Sequence, residues 1–242
     1  MASNYSQKMI YNVDITFCID CTESMDNILN IVKSRALAFY DDVQQIIIGK
    51  DKSIDKLRVR LVAFRDYLAY DAEKKQHATP NEPMLVTDFF TLPQEAPKLE
   101  LCLSSLLPIG GGDAPEDGLE ALAYAIRSDW NTESTKCRHI IVLWTDAVPH
   151  ELGFGKNASR YPAGMARSME ELTEWWGDLS DPGYMPKQPS KRLLLFAPNE
   201  GGWKFISNNW DNIVHLPSKA GDGLRDLEYT QILSSIAQTL SL

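Results

Sequence analysis

Three short segments of this sequence carry the oxygen-bearing side chains that bind hard metal cations. The first reads Asp-Cys-Thr-Glu-Ser from Asp20 to Ser24 and offers one carboxylate and two hydroxyls at alternate positions. The second contains Asp113 and Glu116 in a glycine-rich stretch, and the third places Asp146 after an apolar run. Because Mg²⁺ prefers such oxygen ligands in octahedral geometry, these segments together indicate a magnesium site.

An ordinary structural role could explain each segment taken alone. Thr22 or Ser24 could cap a helix that starts there, and Asp20 would favour the positive N-terminal end of that helix. The glycine-rich stretch could be a turn followed by an acidic helix start. The pairing of Asp20 with Asp146 favours the metal interpretation, because two carboxylates at one sheet edge repel each other unless a cation lies between them.

Hydrophobic periodicity predicts the elements that would position these segments. Apolar residues that alternate, or that run without interruption, predict strands, and apolar residues three or four positions apart predict helices. Strands are predicted at residues 11–19, 57–64, 84–92, 140–144, 193–196 and 212–216. Helices are predicted from Ser24 to about Gly49 and at residues 97–107, 119–126, 165–177 and 224–240.

The alternation of strands and helices predicts an α/β fold, a Rossmann-like doubly wound and mainly parallel sheet flanked by helices. Ligands of such sheets bind beyond the carboxyl ends of the strands. Asp20 follows the first strand and Asp146 follows the strand expected beside it, so both carboxylates should lie at that edge. The 242 residues are predicted to form one domain, 1–242, with a loop-rich insertion at about residues 147–190.

Composition and charge restrict the function classes. The chain is 44% hydrophobic and 24% charged, as in ordinary globular proteins, and its net charge of −9 opposes binding to nucleic acid or to an anionic membrane. No apolar stretch reaches the roughly 20 residues that cross a bilayer, and the N-terminus lacks a secretory leader. Together with only four cysteines, these features predict a cytoplasmic protein that binds a protein, a cation or both.

Cys18 and Cys21 form a C-x-x-C sequence, which occurs in redox and zinc sites. Cys18 belongs to the first predicted strand, no second C-x-x-C follows, and Cys137 with His139 has the wrong spacing for a usual zinc pair. We therefore predict no thiol or zinc function for these cysteines.

The order and spacing of the acidic segments resemble the von Willebrand factor type A (VWA) domain. That family binds a cation at a metal-ion-dependent adhesion site with the pattern Asp-x-Ser-x-Ser, a Thr from a second loop and an Asp from a third. Here Asp20-x-Thr22-x-Ser24 and Asp146 match the first and last elements. Asp113 stands where the family has the second-loop Thr, which would exchange a neutral ligand for a charged one.

Further segments resemble an alpha-kinase-linked and hemicentin-like subgroup of this family. They are Val62–Tyr67, Gly110–Glu116 and Thr145–His150, and the resemblance spans nearly the whole chain. The metal site implied by the resemblance consists of Asp20, Thr22, Ser24, Asp113 and Asp146. Three further residues are implied as outer support or partner contacts: Asp66, Glu116 and His150.

The resemblance implies a protein-binding module rather than an enzyme. The metal would be Mg²⁺, with Mn²⁺ or Ca²⁺ as the other candidates, and an acidic residue of a protein partner would complete its coordination. Intracellular members of the family serve as adaptors in assemblies that contain AAA+ ATPases, kinases or phosphatases. Two alternatives stay open: a Mg²⁺-dependent hydrolase or phosphotransferase that uses the strand-end carboxylates, and a scaffold whose metal site has decayed.

Overall fold

A seven-stranded sheet organises the chain in the computed structural model, which describes residues 9–48, 52–75, 82–110, 115–133, 136–178, 183–186 and 190–240. The strands are β1 (Met9–Asp20), β2 (Lys52–Phe64), β3 (Met84–Val86), β4 (Phe90–Leu92), β5 (Cys137–Trp144), β6 (Lys191–Pro198) and β7 (Ile213–Ser218). The helices are α1 (Asp26–Arg35), α2 (Phe39–Ile48), α3 (Tyr67–Lys74), α4 (Ala96–Ser105), α5 (Gly118–Ile126), α6 (Met169–Trp176), α7 (Gly201–Asn209) and α8 (Tyr229–Thr239).

The strands lie in the order β3-β2-β1-β5-β6-β7, and β4 also pairs with β2. From β2 to β7 all neighbours are parallel, whereas β3 and β4 run antiparallel to β2. The next strand in the chain, β2, lies on one side of β1, and β5 lies on the other side of β1. The gap between β1 and β5 is therefore the point where the winding reverses, which is where ligands of doubly wound sheets bind.

Helices cover both faces of the sheet. The alternating side chains of β1 divide between the faces, because successive residues of a strand point in opposite directions. Val13, Ile15 and Phe17 pack into one core with α1, α2, α4 and α8, and Cys18 packs into a second core with α5, α6 and α7. The predicted α/β fold, a mainly parallel sheet flanked by helices, is confirmed.

The first predicted helix differs from the observed structure, because it is divided into α1 and α2 by a turn at residues 36–38. Val32, Ala36 and Phe39 all pack into the same core across the turn. The helical spacing of apolar residues therefore continues through a break that periodicity alone does not reveal.

The third predicted strand is also divided, into β3 and β4. Between them the Thr87 side chain accepts a hydrogen bond from the Leu61 N–H (3.0 Å), which replaces a backbone ladder bond of β2. Two helices, α3 and α7, were not expected from periodicity. The part of the chain between β5 and β6 that the structure describes contains α6 and a series of turns.

No helix in the described residues is both long enough and apolar enough to cross a membrane.

Candidate metal centre

The carboxyl ends of β1 and β5 bring Asp20 and Asp146 to the same edge of the sheet. Asp20 is the last residue of β1, and Asp146 follows β5, whose Trp144 lies opposite Ile19 in the parallel ladder. Both carboxylates are buried, and Asp20 is 0% exposed. The two strand ends therefore lie beside each other, as the sequence predicts.

Hydroxyl and amide groups donate to all four carboxylate oxygens of Asp20 and Asp146. Asp20 Oδ1 accepts from the backbone N–H (2.9 Å) and the hydroxyl (2.6 Å) of Thr22, and Oδ2 accepts from the Thr145 hydroxyl (2.7 Å). Asp146 Oδ1 accepts from the Ser24 hydroxyl (2.9 Å), and Oδ2 accepts from the Gly223 N–H (2.7 Å). The strand-end cluster is defined here as Asp20, Thr22, Ser24, Thr145 and Asp146.

Neither Thr22, at the N-cap position of the 3₁₀ turn, nor Ser24 caps a helix with its side chain. A single 3₁₀ turn, Glu23–Met25, precedes α1, and neither of these helices has a side chain that accepts from its first amides. Both hydroxyls donate to the strand-end carboxylates instead. The capping explanation of this segment is therefore wrong, and cation binding stays a prediction.

The donor set of the strand-end cluster fits a hard divalent cation. Each hydroxyl donates a hydrogen bond to a carboxylate, so the oxygen lone pairs of Thr22 and Ser24 can still face a cation. Burial raises the pKa of Asp20 to about 6 despite hydrogen bonds from Thr22 and Thr145, and the charge of Asp146 adds to the increase. Within the described residues, no lysine or arginine forms a salt bridge with either aspartate.

The loop after β7 closes over Asp146. The Gly221 N–H donates to the Asp146 carbonyl (2.9 Å), and the Gly223 N–H donates to its side chain. Gly223 has a φ of 62°, and a Cβ at this position would overlap the carbonyl oxygen of Ser24. Only glycine fits here, and sequence reasoning assigned no role to this loop.

Asp113, the predicted ligand from the second loop, lies outside the described residues, as do its neighbours Gly112 and Ala114. Its coordination of the metal stays a prediction.

A second group of acidic side chains lies in the loops beside the strand-end cluster. Residues 115–117 run alongside residues 148–150: the Glu116 N–H donates to the Val148 carbonyl (3.2 Å), and the His150 N–H donates to the Glu116 carbonyl (2.9 Å). This pairing brings His150 close to Asp117, the residue before α5. The acid–histidine cluster is defined here as Asp66, Glu116, Asp117, Glu120 and His150.

Asp66 and His150 form the closest pair of this cluster. Asp66 caps α3 by accepting from the Ala69 N–H, and its Oδ2 lies 2.8 Å from His150 Nε2. Burial alone would raise the pKa of Asp66, but hydrogen bonds from His150 and Ala69 outweigh it and lower the pKa. Burial opposes the charge on His150, but the hydrogen bond to Asp66 and the neighbouring acids raise the pKa of the imidazole.

Three carboxylates of the acid–histidine cluster each keep one buried oxygen without a hydrogen-bond partner among the described residues. These oxygens are Glu116 Oε2, Asp117 Oδ1 and Glu120 Oε2. The second oxygen of Asp117 accepts from the Tyr67 N–H (2.7 Å), and Glu120 Oε1 accepts from the Tyr161 hydroxyl (3.0 Å). An unpartnered buried carboxylate oxygen is unfavourable, and three in one place are unusual.

Burial and mutual repulsion raise the pKa values of these acids. Burial raises the pKa of Glu116 to about 10, with further contributions from acids of both clusters. Burial, then repulsion by Glu120, raises the pKa of Asp117 to about 7. Because Glu116 is influenced by Asp20 and Asp146 as well as by Asp66 and Asp117, it couples the two clusters electrostatically.

Asp66, Glu116 and His150 were predicted to surround the metal or contact a partner, and the structure brings them together in one cluster. Sequence reasoning assigned no role to Thr145, Asp117 or Glu120. Glu120 carries a signal that could have been used, since it lies in the otherwise apolar sequence of α5 and is 0% exposed. Thr145 and Asp117 have no such signal, because polar residues are common at strand ends and before helices.

Cys18 and Cys21 lie on opposite faces of the sheet, each buried in a different core. Both are free thiols, and burial raises the pKa of Cys21 to about 12. Since a thiolate is the reactive form, burial disfavours redox chemistry at these cysteines, and the absence of a redox role stays a prediction.

Comparisons with known proteins bear on the fold. No protein-family model matches the chain, and no curated protein matches it by sequence. The pilus adhesin SpaC from Lactobacillus rhamnosus GG, in its open conformation, is structurally similar, with a TM-score of 0.50 and 13% identity over 95% of this chain. A second structure of that adhesin has a TM-score of 0.51 and 14% identity over 95% of this chain. This chain spans 30% of the adhesin in both comparisons, and at this identity the similarity shows the fold alone.

Proposed function

We propose that this chain is a VWA-type protein-binding module that holds Mg²⁺ at the strand-end cluster. The observation that carries the proposal is the hydrogen bonding of Asp20 and Asp146 by the hydroxyls of Thr22 and Ser24. These four side chains come from the two segments that match the family pattern, and they meet at the reversal point of the sheet. Asp20, Thr22, Ser24 and Asp146 would hold the cation.

A bound Mg²⁺ would supply an electrophilic position for one carboxylate oxygen of a protein partner. The chain's own contribution is the placement of the two aspartates, neither of which forms a salt bridge with a lysine or arginine among the described residues. The Thr145 hydroxyl and the Gly223 N–H hold one oxygen of Asp20 and of Asp146, respectively. These contacts fix both carboxylates before a partner arrives, so little ordering is needed on binding.

Exposed apolar side chains near the acidic loops support a protein partner. Phe154 stacks on the His150 imidazole with ring centroids 4.0 Å apart, yet it is 53% exposed. Leu107 and Ile109 are also exposed, and Arg65, next to Asp66, donates to the carbonyl oxygens of both. Aromatic side chains are enriched in protein interfaces, where they often contribute most of the binding energy.

The partner class follows from the same resemblance. We place the chain in the cytoplasm as an adaptor for an assembly that contains an AAA+ ATPase, a kinase or a phosphatase. A partner that presents a carboxylate must also approach a chain of net charge −9, so we expect basic residues around its acid.

Thermal unfolding with and without Mg²⁺ tests the metal site. At 100 times the dissociation constant, Mg²⁺ should stabilise the wild type by about 2.7 kcal/mol, because it binds only the folded state. Asp146→Asn should remove this effect, and Asp226→Asn, a change at an exposed acid three positions after Gly223, should keep it. If EDTA leaves the melting temperature of the wild type unchanged, the metal-site proposal is wrong.

Partner capture tests the binding function. Wild-type protein should retain a partner in Mg²⁺ and release it in EDTA, and Phe154→Ala should weaken capture without loss of Mg²⁺ binding. The matched control is Phe205→Ala, because Phe205 is also exposed but lies on α7. Phosphatase or nucleotide hydrolysis by the wild type that Asp20→Ala abolishes would replace this proposal by the hydrolase alternative.

A further inference from the structure

The acid–histidine cluster contains a set of ligand atoms that is separate from the strand-end cluster. Asp66, Asp117 and His150 each offer one ligand atom, and these atoms lie within 4.8 Å of one another. Among the described residues, no other group of three or more Asp, Glu, His or Cys side chains brings its ligand atoms this close together. None of the three belongs to the four side chains that would hold Mg²⁺ in the proposed function.

Hydrogen bonds hold each of these three residues in place. Asp66 uses Oδ1 to cap α3, which leaves Oδ2 directed at His150. Asp117 uses Oδ2 to accept from the Tyr67 N–H. The His150 N–H donates a hydrogen bond to the carbonyl oxygen of Glu116, the neighbour of Asp117. The three ligand atoms therefore come from positions that tertiary structure holds together.

The spacing of these atoms suits a metal ion. Asp66 Oδ2 and His150 Nε2 are 2.8 Å apart. In tetrahedral geometry, metal bonds of roughly 2.0–2.2 Å place neighbouring ligand atoms roughly 3.3–3.6 Å apart. A cation would take the place of the proton that these two atoms share, and the two side chains would need to separate by roughly 0.5–0.8 Å.

The unpartnered oxygen of Asp117 points independently to a ligand. Asp117 is 0% exposed, and its Oδ1 has no hydrogen-bond partner among the described residues. Glu116 and Glu120 each have an oxygen in the same condition, and none of the described lysines or arginines forms a salt bridge with these three acids. A divalent cation would offset this concentration of buried carboxylates.

We propose that Asp66, Asp117 and His150 form a second metal site, which takes a divalent transition metal and prefers Zn²⁺ to Mn²⁺ and Mn²⁺ to Mg²⁺. An imidazole nitrogen with two carboxylates is a mixed donor set that suits zinc and its neighbours, whereas Mg²⁺ prefers oxygen ligands and water. The order of affinities follows the general order for nitrogen and oxygen sites. The chain would thus hold two different metals side by side.

Metal titration of the full chain, first freed of metal by chelation, tests this site. We expect calorimetry to show one Zn²⁺ per chain, with affinity reduced at least about tenfold in Asp117→Asn and in His150→Gln. Asn at position 117 can still accept from the Tyr67 N–H, so this variant should fold. Asp71→Asn, at a half-buried acid on α3 outside the cluster, is the matched control and should bind Zn²⁺ as the wild type does.

Co²⁺ serves as a spectroscopic probe of the ligands. Its visible absorption should appear in the wild type, disappear when Zn²⁺ is added, and be lost in His150→Gln. A thiolate charge-transfer band would instead assign the metal to a cysteine and overturn the proposal. Equal Zn²⁺ affinity in the wild type, Asp117→Asn and His150→Gln would also overturn it, and would leave Asp66 and His150 as a structural ion pair.

The two metal proposals fail separately. Asp146→Asn should lose Mg²⁺-dependent stabilisation and keep Zn²⁺ binding, and Asp117→Asn should show the opposite pattern. If the wild type binds one Zn²⁺ but no Mg²⁺, the proposed function is refuted and the second metal site is not.

Discussion

The strand-end cluster and the acid–histidine cluster contain similar side chains but satisfy their carboxylates in different ways. In the strand-end cluster, all four oxygens of Asp20 and Asp146 accept hydrogen bonds from hydroxyl or amide groups. In the acid–histidine cluster, Glu116, Asp117 and Glu120 each keep one buried oxygen without a partner among the described residues. The first arrangement is complete within the protein, and the second depends on protonation or on a cation.

The two clusters differ in the polar groups that surround their acids. The segments that carry Asp20 and Asp146 also carry hydroxyls: Thr22 donates to Asp20 within its own turn, and Ser24 and Thr145 each donate to the acid of the other segment. The acids of the acid–histidine cluster come from two segments, Asp66 before α3 and Glu116–Glu120 at the start of α5, and Glu116 Oε2 has no hydrogen-bond partner among the described residues. These segments bring together more carboxylates than hydrogen-bond donors.

The largest expected effect is the pH dependence of the metal-free protein. Glu116 and Asp117 have folded-state pKa values of about 10 and about 7, above those of the unfolded chain. Their contribution to stability is therefore fully present below the unfolded pKa and is lost as pH rises through the folded pKa. One such group lowers the free energy of unfolding by about 1.4 kcal/mol per pH unit in this window, or up to about 4 kcal/mol from pH 5 to pH 8.

Urea unfolding in EDTA at pH 5, 6.5 and 8 measures this slope. Glu116→Gln should flatten it, because glutamine stays neutral, and Glu174→Gln, at an exposed position, should not. Wild-type stability that is constant or rises over this range would show that the acid–histidine cluster is not strained by ionisation. The unpartnered carboxylate oxygens would then not make the acid–histidine cluster less stable than the strand-end cluster.

A smaller effect is expected from Gly223→Ala in the strand-end cluster. The new Cβ would overlap the Ser24 carbonyl oxygen, so the loop must shift and its N–H must leave Asp146. We expect a loss of about 2–3 kcal/mol in the free energy of unfolding and weaker Mg²⁺ binding. Gly221→Ala is the control, because its φ of 71° is also positive but nothing lies within 4 Å of the added Cβ.

Gly221→Ala should lose only the roughly 1–2 kcal/mol of a strained backbone and should bind Mg²⁺ as the wild type does. Equal Mg²⁺ affinity in the two variants would mean that the loop after β7 does not position Asp146.

Thr145→Val would give the strand-end cluster the defect that the other cluster already has. The change removes the donor to Asp20 Oδ2 (2.7 Å) and the acceptor of the Ala147 N–H (3.0 Å). We expect a loss of about 2 kcal/mol at pH 7, from one unpartnered carboxylate oxygen and one unpartnered amide. Chemical denaturation in EDTA measures it, with Thr145→Ser as the variant that should restore most of the stability.

The smallest effect is expected from Tyr161→Phe in the acid–histidine cluster. It removes the hydroxyl that donates to Glu120 Oε1 (3.0 Å), but the Gly153 N–H still donates to the same oxygen (3.0 Å). We expect a loss of about 1 kcal/mol, measured by the same denaturation. A loss as large as that of Thr145→Val would show that Glu120 depends on a single donor, as Asp20 Oδ2 does.

Much of the strand-end cluster was predictable because its signals are local. Alternating apolar residues identified β1, the run Ile140–Trp144 identified β5, and a strand-terminal acid followed each of them. Because the carboxyl ends of parallel strands meet at one edge of the sheet, both acids were expected there. What periodicity missed was the break between α1 and α2, because the same core receives the apolar residues of both helices.

The sequence by itself determined which side chains we propose as ligands of a hard cation, and it predicted the mainly parallel sheet whose strands end near Asp20 and Asp146. Tertiary structure decided where the hydroxyl protons go, since Ser24 donates to an acid 122 positions away instead of capping a helix. It also decided that Asp66 and His150, 84 positions apart, meet beside Asp117. The physical reason is that side-chain type and strand period are properties of a short segment, whereas the distance between two loops depends on strand order and on the packing of every helix between them.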